Sequence, residues 1–486
     1  MGSTISKSKY MNGLQCSRLL WFVVNSPEEL PKIEEDKQFI FDQGHEVGNY
    51  AKKLFPKGVQ VPHDSNFIEA TRKFVSQGDT IFEGAFSYKG TFAKVDILKS
   101  VNKDEWDIIE VKSSTKVKDE NIEDVAFQRF VVEGAGLKVR RCHQIYVNNE
   151  YVRDGDIDPQ EFLSKEDITD QIAEKLGHVE DNIIGMQKAI ALEKPPMISI
   201  GPHCSNPYDC PLSEKCWSFL PEHNVTELYY FGQKKYEMLN KDILSIKDLP
   251  SGVKLSDKQR IQIAAIKSGK PLIDKESLRK FLKSLEYPVY CLDFETLGVA
   301  VPPFDKARPY QKIPFQFSIH VTQKMNSDVE SHSFLADGRK NFAPELIKAL
   351  KVIGPTGTVL AYNMSFEKQV LKALAELSPK DANWLESISD RLRDLIEPFR
   401  AFSYYHPDQH GSMSLKAVLP ILTNRSYKEM DIGKGGMASL KYYLTHFRDS
   451  AKEEKEKVRN ALLEYCKLDT EGMVEILRKL EEISRQ

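Results

Sequence analysis

The sequence predicts an α/β protein in three segments, because helical and strand-like patterns alternate near both ends of the chain and a charged, helical stretch lies between them. Residues 1–220 alternate between the two patterns and predict an α/β domain. Residues 221–285 are interpreted as a helical connector. Residues 286–486 predict a mixed β-sheet flanked by helices. A length of 486 residues also exceeds what one hydrophobic core usually organises, so at least two domains are expected.

Local patterns justify each segment in chain order. The first opens with the helix-like stretches ISKSKYMNGLQCSRLLWF and FIFDQGHEVGNYAKKLF. It continues with strand-like TIFEGAFSYKG, TFAKVDILKS and EWDIIEVKSS, helical VAFQRFVVEGAG and the strand RCHQIYVN. The connector contains the helical patterns LYYFGQKKYEMLN, KQRIQIAAIKSG and KESLRKFLKSL. The last segment begins with the apolar runs PVYCLDFETL, PFQFSIHVT and SHSFLA and ends in an amphipathic helix over residues 452–484.

The composition is that of an ordinary globular protein. There are 68 Lys and Arg against 71 Asp and Glu, and this net charge of −3 argues against a protein that coats polyanions. Any contact with nucleic acid must therefore come from local basic patches. The chain has no long apolar run and no signal-peptide pattern, so we expect a cytoplasmic protein without a membrane partner. Seven cysteines, an odd number, argue against a disulfide framework in that compartment.

Two acidic residues stand out in the stretch YCLDFETL. The strand period of two places Asp293 and Glu295 on one face, and paired carboxylates on a buried strand are costly unless a cation neutralises them. Hard oxygen ligands indicate Mg²⁺ or Mn²⁺. An isolated Asp-x-Glu is more often a solvated strand end, so the interpretation depends on its context.

Two further patterns supply that context. Near the C-terminus, Tyr465 and Asp469 are four residues apart in a helical pattern and hence on one face. Between the two acidic patterns, TVLAYNMSFEKQVLKAL predicts a strand that ends near Asn363 and a helix that carries Glu367.

These three motifs resemble those of the DEDD exonucleases in the RNase H-like superfamily. Asp-x-Glu matches Asp293 and Glu295, Asn-x-x-Phe-acid matches Asn363, Phe366 and Glu367, and Tyr-x-x-x-Asp matches Tyr465 and Asp469. The resemblance implies an RNase H-like domain in which the four acids hold two cations, about 4 Å apart, that clamp an in-line phosphoryl displacement. It also implies that Tyr465 orients the attacking water and that cleavage proceeds from a 3′ end. The second motif usually carries Asp where this chain has Glu367, and Asp394 is the alternative.

Polar and aromatic residues around this site suggest a substrate rim. They could grip phosphates or stack on bases, as in single-strand binding proteins, although each alone is more often a surface or core residue. The candidates are Asn363, Arg308, Tyr310, His410 and Lys416.

A second acidic pattern lies in the first segment. Asp96 ends one predicted strand, and Glu110 and Lys112 lie two residues apart on the next. Asp96 and Glu110 could hold one or two divalent cations while Lys112 stabilises charge in the transition state. The pattern resembles the PD-(D/E)XK nucleases of the restriction-endonuclease-like fold, and comparison with their RecB-like members adds Gln128 on the following helix and His45 as a metal ligand.

Four cysteines bracket this segment: Cys16 near its start and Cys204, Cys210 and Cys216 near its end. This arrangement resembles the iron–sulfur RecB-family nucleases and implies a [4Fe–4S] cluster, although those nucleases usually have a Cys-x-x-Cys pair among the late cysteines. Four thiolates also suit Zn²⁺, and plain buried cysteines are a third interpretation. The remaining cysteines, at positions 142, 291 and 466, are interpreted as small core residues.

Together these patterns predict a metal-dependent nuclease. The C-terminal domain is expected to be a 3′–5′ exonuclease, and the N-terminal domain a DNA nuclease or an end-binding module. The expected partner is nucleic acid, DNA in preference to RNA, and no protein partner is indicated. The fusion of the two modules resembles a bacterial family with the same organisation. Two alternatives remain open, a nucleic-acid binding or scaffolding protein with inactive sites and a phosphoesterase acting on small nucleotides.

Overall fold

The computed structural model describes residues 4–62, 66–338, 341–428, 430–448 and 450–486. The chain forms two compact units. Unit 1 comprises Met1–Phe219 with Ala300–Pro302, and unit 2 comprises Leu220–Val299 with Pro303–Gln486. The segment 221–285, interpreted from the sequence as a connector, therefore belongs to the same unit as the C-terminal sheet. The prediction of a mixed α/β protein is confirmed.

Unit 1 is a twisted sheet with helices. Its elements are β1 (Ile5–Ser6), α1 (Lys7–Gln15), α2 (Ser17–Asn25), α3 (Glu35–Lys53), β2 (Val59–Gln60), α4 (Phe67–Gln77), β3 (Ile81–Tyr88), β4 (Thr91–Ser100), β5 (Glu105–Lys112), α5 (Asp119–Gly134), β6 (Lys138–Val147), α6 (Pro159–Phe162), β7 (Leu163–Asp167), α7 (Thr169–Ile190) and α8 (Ser213–Trp217).

The sheet of unit 1 has the order β2-β3-β4-β5-β6-β7, and β1 pairs with β4. β3, β4 and β5 form an antiparallel meander, whereas β5 and β6 are parallel and joined through α5. α5 is apolar over much of its surface and packs between the sheet and the helices α1 and α7, which is why Val125, Phe127 and Val131 are fully buried. The first helical pattern is divided into α1 and α2 because Cys16 has an extended backbone, with φ −164°.

Unit 2 contains a second sheet and a long C-terminal helix. Its elements are α9 (Lys234–Leu239), α10 (Asp257–Ser268), β8 (Leu272–Ile273), α11 (Lys275–Lys283), β9 (Val289–Leu297), β10 (Ile313–Thr322), β11 (Val329–Leu335), α12 (Ala343–Leu350), β12 (Thr358–Ala361), α13 (Ser365–Leu377), α14 (Ala382–Asp390), β13 (Leu392–Asp394), α15 (Glu397–Arg400), β14 (Tyr404–Tyr405), α16 (Leu415–Leu422), α17 (Gly435–Phe447) and α18 (Lys452–Arg485).

The large sheet of unit 2 is mixed, in the order β11-β10-β9-β12-β13. β9, β10 and β11 are antiparallel neighbours, and β12 and β13 continue the sheet in parallel with β9. Every residue of β10 is buried because helices cover both faces of this strand, with α18 and α13 both in contact with it. The helix α18 contacts both β9 and β10 and therefore packs on one face of the sheet. In the part of the chain that the structure describes, no helix is both long and apolar enough to cross a membrane.

Candidate metal sites

The acidic pair of β9 meets a third carboxylate from α18. Asp293 and Glu295 project from the same face of β9, and α18 crosses that face so that its Asp469 reaches them. One carboxylate oxygen from each residue lies within 4.8 Å of the others. Residues 293 and 469 are far apart in sequence, so the packing of α18 on the sheet creates this group.

Burial and mutual repulsion dominate the electrostatics of these acids. Burial, followed by the charges of Asp469 and Glu295, raises the pKa of Asp293 well above its ordinary range. Burial, followed by the charge of Asp469, does the same to the pKa of Glu295. Burial raises the pKa of Asp469 to about 6, while a hydrogen bond from Tyr427 lowers it. The site is therefore short of positive charge.

Glu367 is close to this group but does not belong to the three-ligand set. It lies in the first turn of α13 with only 2% of its surface exposed. Among the described residues its Oε2 has no hydrogen-bond partner. Burial raises its pKa to about 8, and the charge of Asp394 adds to this rise. Its own charge in turn raises the pKa of Asp293, so the two carboxyls lie within electrostatic reach of each other.

Asp394, the alternative to Glu367, has a different role in the structure. Its carboxylate accepts hydrogen bonds from the backbone N–H groups of Asn363 at 2.7 Å and Met364 at 3.2 Å. It also lies 3.5 Å from Arg400. Asn363 has a positive φ of 72°, so the bonds to Asp394 hold the tight turn between β12 and α13. Asp394 thus positions the second motif, and the three-ligand group forms without it.

Two tyrosines and a lysine border the acids. The hydroxyl of Tyr427 donates a hydrogen bond to Asp469 Oδ1. Tyr465 is buried, and its ring lies 6.1 Å from that of Tyr427 in an edge arrangement. The Nζ of Lys416 lies 5.3 Å from the ring centre of Tyr427 and 5.5 Å from that of Tyr465. The charge of Lys416 lowers the pKa of both Glu295 and Asp469.

Cys466, which the sequence predicts to be a small core residue, is fully buried and also contacts Asp293. Its Sγ lies 3.4 Å from Asp293 Oδ2. Cys142 and Cys291 are buried in apolar surroundings. Helical spacing could have distinguished Cys466 from these two, because it lies three residues before Asp469 and therefore on the same side of α18.

A groove of about 850 Å³ opens above the acids. Of the predicted rim residues, Asn363, His410 and Lys416 line it, together with Tyr465 and the three acids. The groove wall also contains Tyr230 and Arg400, which sequence patterns did not single out. Arg308 and Tyr310 lie outside the groove lining, and Arg308 is paired with Glu376 on α13.

The acids of unit 1 are arranged differently, because lysines already neutralise them. Glu110 Oε1 lies 2.7 Å from Lys112 and 2.9 Å from Lys7. Asp124, on α5, lies 2.7 Å from Lys112. The Nε2 of Gln128 donates to Glu110 at 2.7 Å and to Asp124 at 3.0 Å. Asp124 could have been anticipated because it lies four residues before Gln128 on one helix face. No sequence pattern pointed to Lys7.

The pKa values of unit 1 reflect this pairing. Burial raises the pKa of Asp96 to about 7, and the charge of Glu110 adds to the rise. Burial opposes ionisation of Glu110, but Lys112 and Lys7 outweigh it and hold the pKa of Glu110 below its usual range. Asp96 Oδ2 accepts a hydrogen bond from the backbone N–H of Val111 at 2.8 Å. Most of the negative charge here is thus compensated by the chain itself.

His45 was expected to join Asp96 and Glu110 as a metal ligand. Its side chain is exposed on α3. Within the described ranges, no three ligand atoms from His, Cys, Asp or Glu residues of unit 1 lie within 4.8 Å of one another. Glu83 lies on β3, next to the strand that carries Asp96, and its carboxylate is 3.4 Å from Lys52 Nζ and 3.6 Å from Lys94 Nζ.

The four clustered cysteines line one small pocket. Cys16 lies between α1 and α2, Cys204 and Cys210 lie in the loop after α7, and Cys216 lies on α8. All seven cysteines of the chain are unpaired thiols. Burial raises the pKa of Cys210, and the charges of the other three cysteines add to this rise, so these three thiols lie within electrostatic reach of Cys210.

Comparison with known proteins adds two findings. Residues 290–414 match a protein-family model described as "Domain of unknown function (DUF2779)". This segment contains Asp293, Glu295 and Glu367 and ends before Tyr465 and Asp469. An alignment over 217 positions, which covers 40% of the chain, shows 27% identity to the "Uncharacterized protein MG366 homolog" of Mycoplasma pneumoniae (strain ATCC 29342 / M129 / Subtype 1). The match covers 32% of that protein, so the chain spans about a third of the curated relative.

Proposed function

We propose that this protein is a metal-dependent nuclease and that unit 2 carries a 3′–5′ exonuclease site of the RNase H-like, DEDD type. The proposal rests on one observation above all, the convergence of Asp293, Glu295 and Asp469 within 4.8 Å at a groove of about 850 Å³. Buried like charges that raise one another's pKa are typical of functional sites. Three carboxyls buried together do not stabilise a fold, because burying each carboxyl costs free energy.

The donor set suits hard divalent cations. All ligand atoms are carboxylate oxygens, which Mg²⁺ and Mn²⁺ prefer. Oxygens at about 2.1 Å from an octahedral cation lie about 3–4 Å apart, and the limit of 4.8 Å on the distances between the ligand oxygens of this group is compatible with that spacing. Glu367 is buried, and its Oε2 has no hydrogen-bond partner among the described residues, so it is the candidate ligand for a second cation. When bound, the cations neutralise the acids and activate the phosphodiester for attack by water.

The residues around the acids have separate roles in this proposal. Tyr427 fixes the orientation of Asp469 through its hydroxyl. Tyr465 lies beside the acids and orients the attacking water. Lys416 provides positive charge for the phosphate, and the exposed Tyr230 on the groove wall offers a face on which a base can stack. DNA is the preferred substrate class.

For unit 1 we propose a restriction-endonuclease-like, PD-(D/E)XK fold that binds DNA ends. Lys7 and Lys112 already neutralise Glu110 and Asp124, so a cation would have to displace Lys7 from Glu110. This arrangement favours end binding over hydrolysis. It also makes the Asp96 site the weaker candidate for cleavage.

We further propose that Cys16, Cys204, Cys210 and Cys216 hold a [4Fe–4S] cluster. Thiolates around one Zn²⁺ lie about 3.8 Å apart, because the Zn–S distance is about 2.3 Å in a tetrahedron. The four cysteines line one pocket, yet no three of their thiols lie within 4.8 Å of one another. The wider spacing favours a larger centre than a single zinc ion. When bound, the cluster cross-links the α1–α2 junction to the segment 198–217.

The test uses the full-length protein on DNA and RNA, single- and double-stranded, labelled at the 5′ end, with Mg²⁺ or Mn²⁺. Wild type should shorten its substrate stepwise and release nucleoside monophosphates, and a blocked 3′ end should prevent this. Asp293→Asn should reduce the rate by at least about 1,000-fold. Asp96→Asn should retain 3′ cleavage.

The matched control is Glu330→Gln, which removes an exposed carboxylate from β11 in the same unit. It should cleave like wild type. The proposal fails if wild type leaves every substrate intact or if Asp293→Asn cleaves at the wild-type rate. Activity that disappears only in Asp96→Asn would transfer the nuclease site to unit 1.

A further inference from the structure

A second group of potential metal ligands lies within unit 2. His223 and Glu227 flank a short turn at residues 223–227, and His410 comes from the turn that precedes α16. One ligand atom from each residue lies within 4.8 Å of the other two. Glu227 Oε2 is 2.9 Å from His410 Nδ1 and 4.0 Å from His223 Nδ1. The two imidazole rings stack with their centres 5.1 Å apart.

Hydrogen bonds from neighbouring side chains hold Glu227 in place. The Nδ2 of Asn224 donates a hydrogen bond to Glu227 Oε1 at 2.8 Å, which leaves Oε2 directed at the two histidines. The Nε2 of Gln262 donates to the backbone oxygen of Glu227 at 2.9 Å. Hydrogen bonds of this kind fix metal ligands in their binding orientation.

The turn that carries His410 is held equally firmly. Gly411 has a positive φ of 75°, and a Cβ at this position would lie 2.0 Å from the backbone oxygen of Glu227. The chain therefore packs backbone against backbone here, which only glycine permits. His410 itself has a φ of 48°, so its ring is fixed beside Glu227 by the shape of the turn.

One potential ligand atom of the group lacks a hydrogen bond. The Nδ1 of His223 is buried and, among the described residues, has no hydrogen-bond partner, because Glu227 at 4.0 Å is too distant. A buried polar atom without a partner costs free energy. A cation placed between the three side chains would give this nitrogen a partner and would replace the hydrogen bond between His410 Nδ1 and Glu227 Oε2.

Two imidazoles and one carboxylate are a typical ligand set for Zn²⁺ and related transition metals. Ligand atoms around a tetrahedral ion with bonds of about 2.0–2.1 Å are about 3.3 Å apart. The observed distances of 2.9 and 4.0 Å lie on either side of this value. Three protein ligands also leave one coordination position free, and Glu227 and His410 both line the groove.

We propose that His223, Glu227 and His410 bind one transition-metal cation of the Zn²⁺ class, distinct from the cations held by the acids. The ion would tie the turn at residues 223–227 to the turn that carries His410, just before α16 with its Lys416. This inference concerns metal binding alone, so it does not depend on nuclease activity.

The test is a Co²⁺ titration of the full-length protein in a large excess of Mg²⁺, which competes for carboxylates but poorly for imidazoles. Wild type, His223→Gln, His410→Gln and Glu227→Gln are compared, with His332→Gln as the control histidine on β11. Visible d–d absorption reports cobalt on nitrogen and oxygen ligands, and a sulfur-to-cobalt charge-transfer band in the near ultraviolet identifies any ion on the cysteines. Circular dichroism of the metal-free proteins checks folding.

We expect wild type and His332→Gln to bind one more Co²⁺ per chain than the three site variants, without a sulfur band for that ion. Each variant should weaken this step by at least about 100-fold. Zn²⁺ should displace the cobalt. Equal stoichiometry in wild type and the site variants overturns the proposal, as does an equal loss in His332→Gln. If one Gln variant fails to fold, the other two decide.

Discussion

Replacing Glu367 by Gln should make the metal-free protein more stable at alkaline pH. Burial, together with the nearby charge of Asp394, raises the pKa of Glu367 from 4.5 to about 8 in the folded protein. Between these two pH values the folded state holds one more proton than the unfolded state, so the free energy of unfolding falls as the pH rises. This stability is fully present below the unfolded pKa and is lost as the pH passes the folded pKa. Glutamine keeps the shape and does not ionise.

The difference between the two pKa values corresponds to about 5 kcal/mol, at about 1.4 kcal/mol for each pH unit. Because neighbouring carboxyls share this titration, the effect of Glu367 alone is smaller. We therefore expect Glu367→Gln to gain about 2–5 kcal/mol in free energy of unfolding over wild type when the pH is raised from about 5 to about 9. The assay is urea unfolding with a chelator present, at both pH values. The matched control is Glu330→Gln, whose carboxylate is exposed.

Added Mn²⁺ should make wild type more stable than Glu367→Gln at alkaline pH. A cation that binds the folded state stabilises it by mass action, and wild type should gain more than Glu367→Gln because it keeps the additional carboxylate. A pH-independent difference between wild type and Glu367→Gln would refute the assignment of a raised pKa to Glu367. An equal response of both proteins to Mn²⁺ would remove Glu367 from the ligand set.

Three further predictions follow from single contacts. Tyr427→Phe removes the hydrogen bond that lowers the pKa of Asp469, so the acidic limb of the pH–rate profile should move to higher pH and the cleavage rate should fall about 10-fold; an unchanged profile would exclude this role. Lys7→Met leaves the acids of unit 1 with one positive side chain fewer and should lower the free energy of unfolding by about 1–3 kcal/mol, measured by urea unfolding; equal stability would contradict the ion pairs of Lys7 with Glu110 and Asp124. Cys210→Ser should abolish absorbance at about 400 nm after anaerobic purification, whereas Cys142→Ala should retain it, and an absence of colour in wild type would count against iron.

Much of the C-terminal site could be predicted because its parts are local. The period of two along a strand places Asp293 and Glu295 on one face, and the spacing of four along a helix does the same for Tyr465 and Asp469. Both rules depend only on backbone geometry within one element. The α/β class follows in the same way from periodicity, and the order of the patterns predicted the mixed sheet of unit 2.

Sequence patterns say less about residues that are brought together from separate elements. Arg308 is near the first motif in sequence, yet it pairs with Glu376 and lies outside the groove. His45 was matched to a position in other nucleases, and its side chain is exposed on α3. Proximity along the chain says little about such contacts, because the direction of each side chain depends on how its element packs.

The sequence by itself determined which residues could be metal ligands and which faces of their strands and helices they occupy, because strand and helix periods are properties of short segments. Only the tertiary structure decided which of these faces meet. The packing of α18 on β9 adds Asp469 to the acid pair, and the Gly411 turn places His410 beside Glu227. These contacts join residues far apart in the chain, and they form because burial of apolar surface fixes the elements against one another.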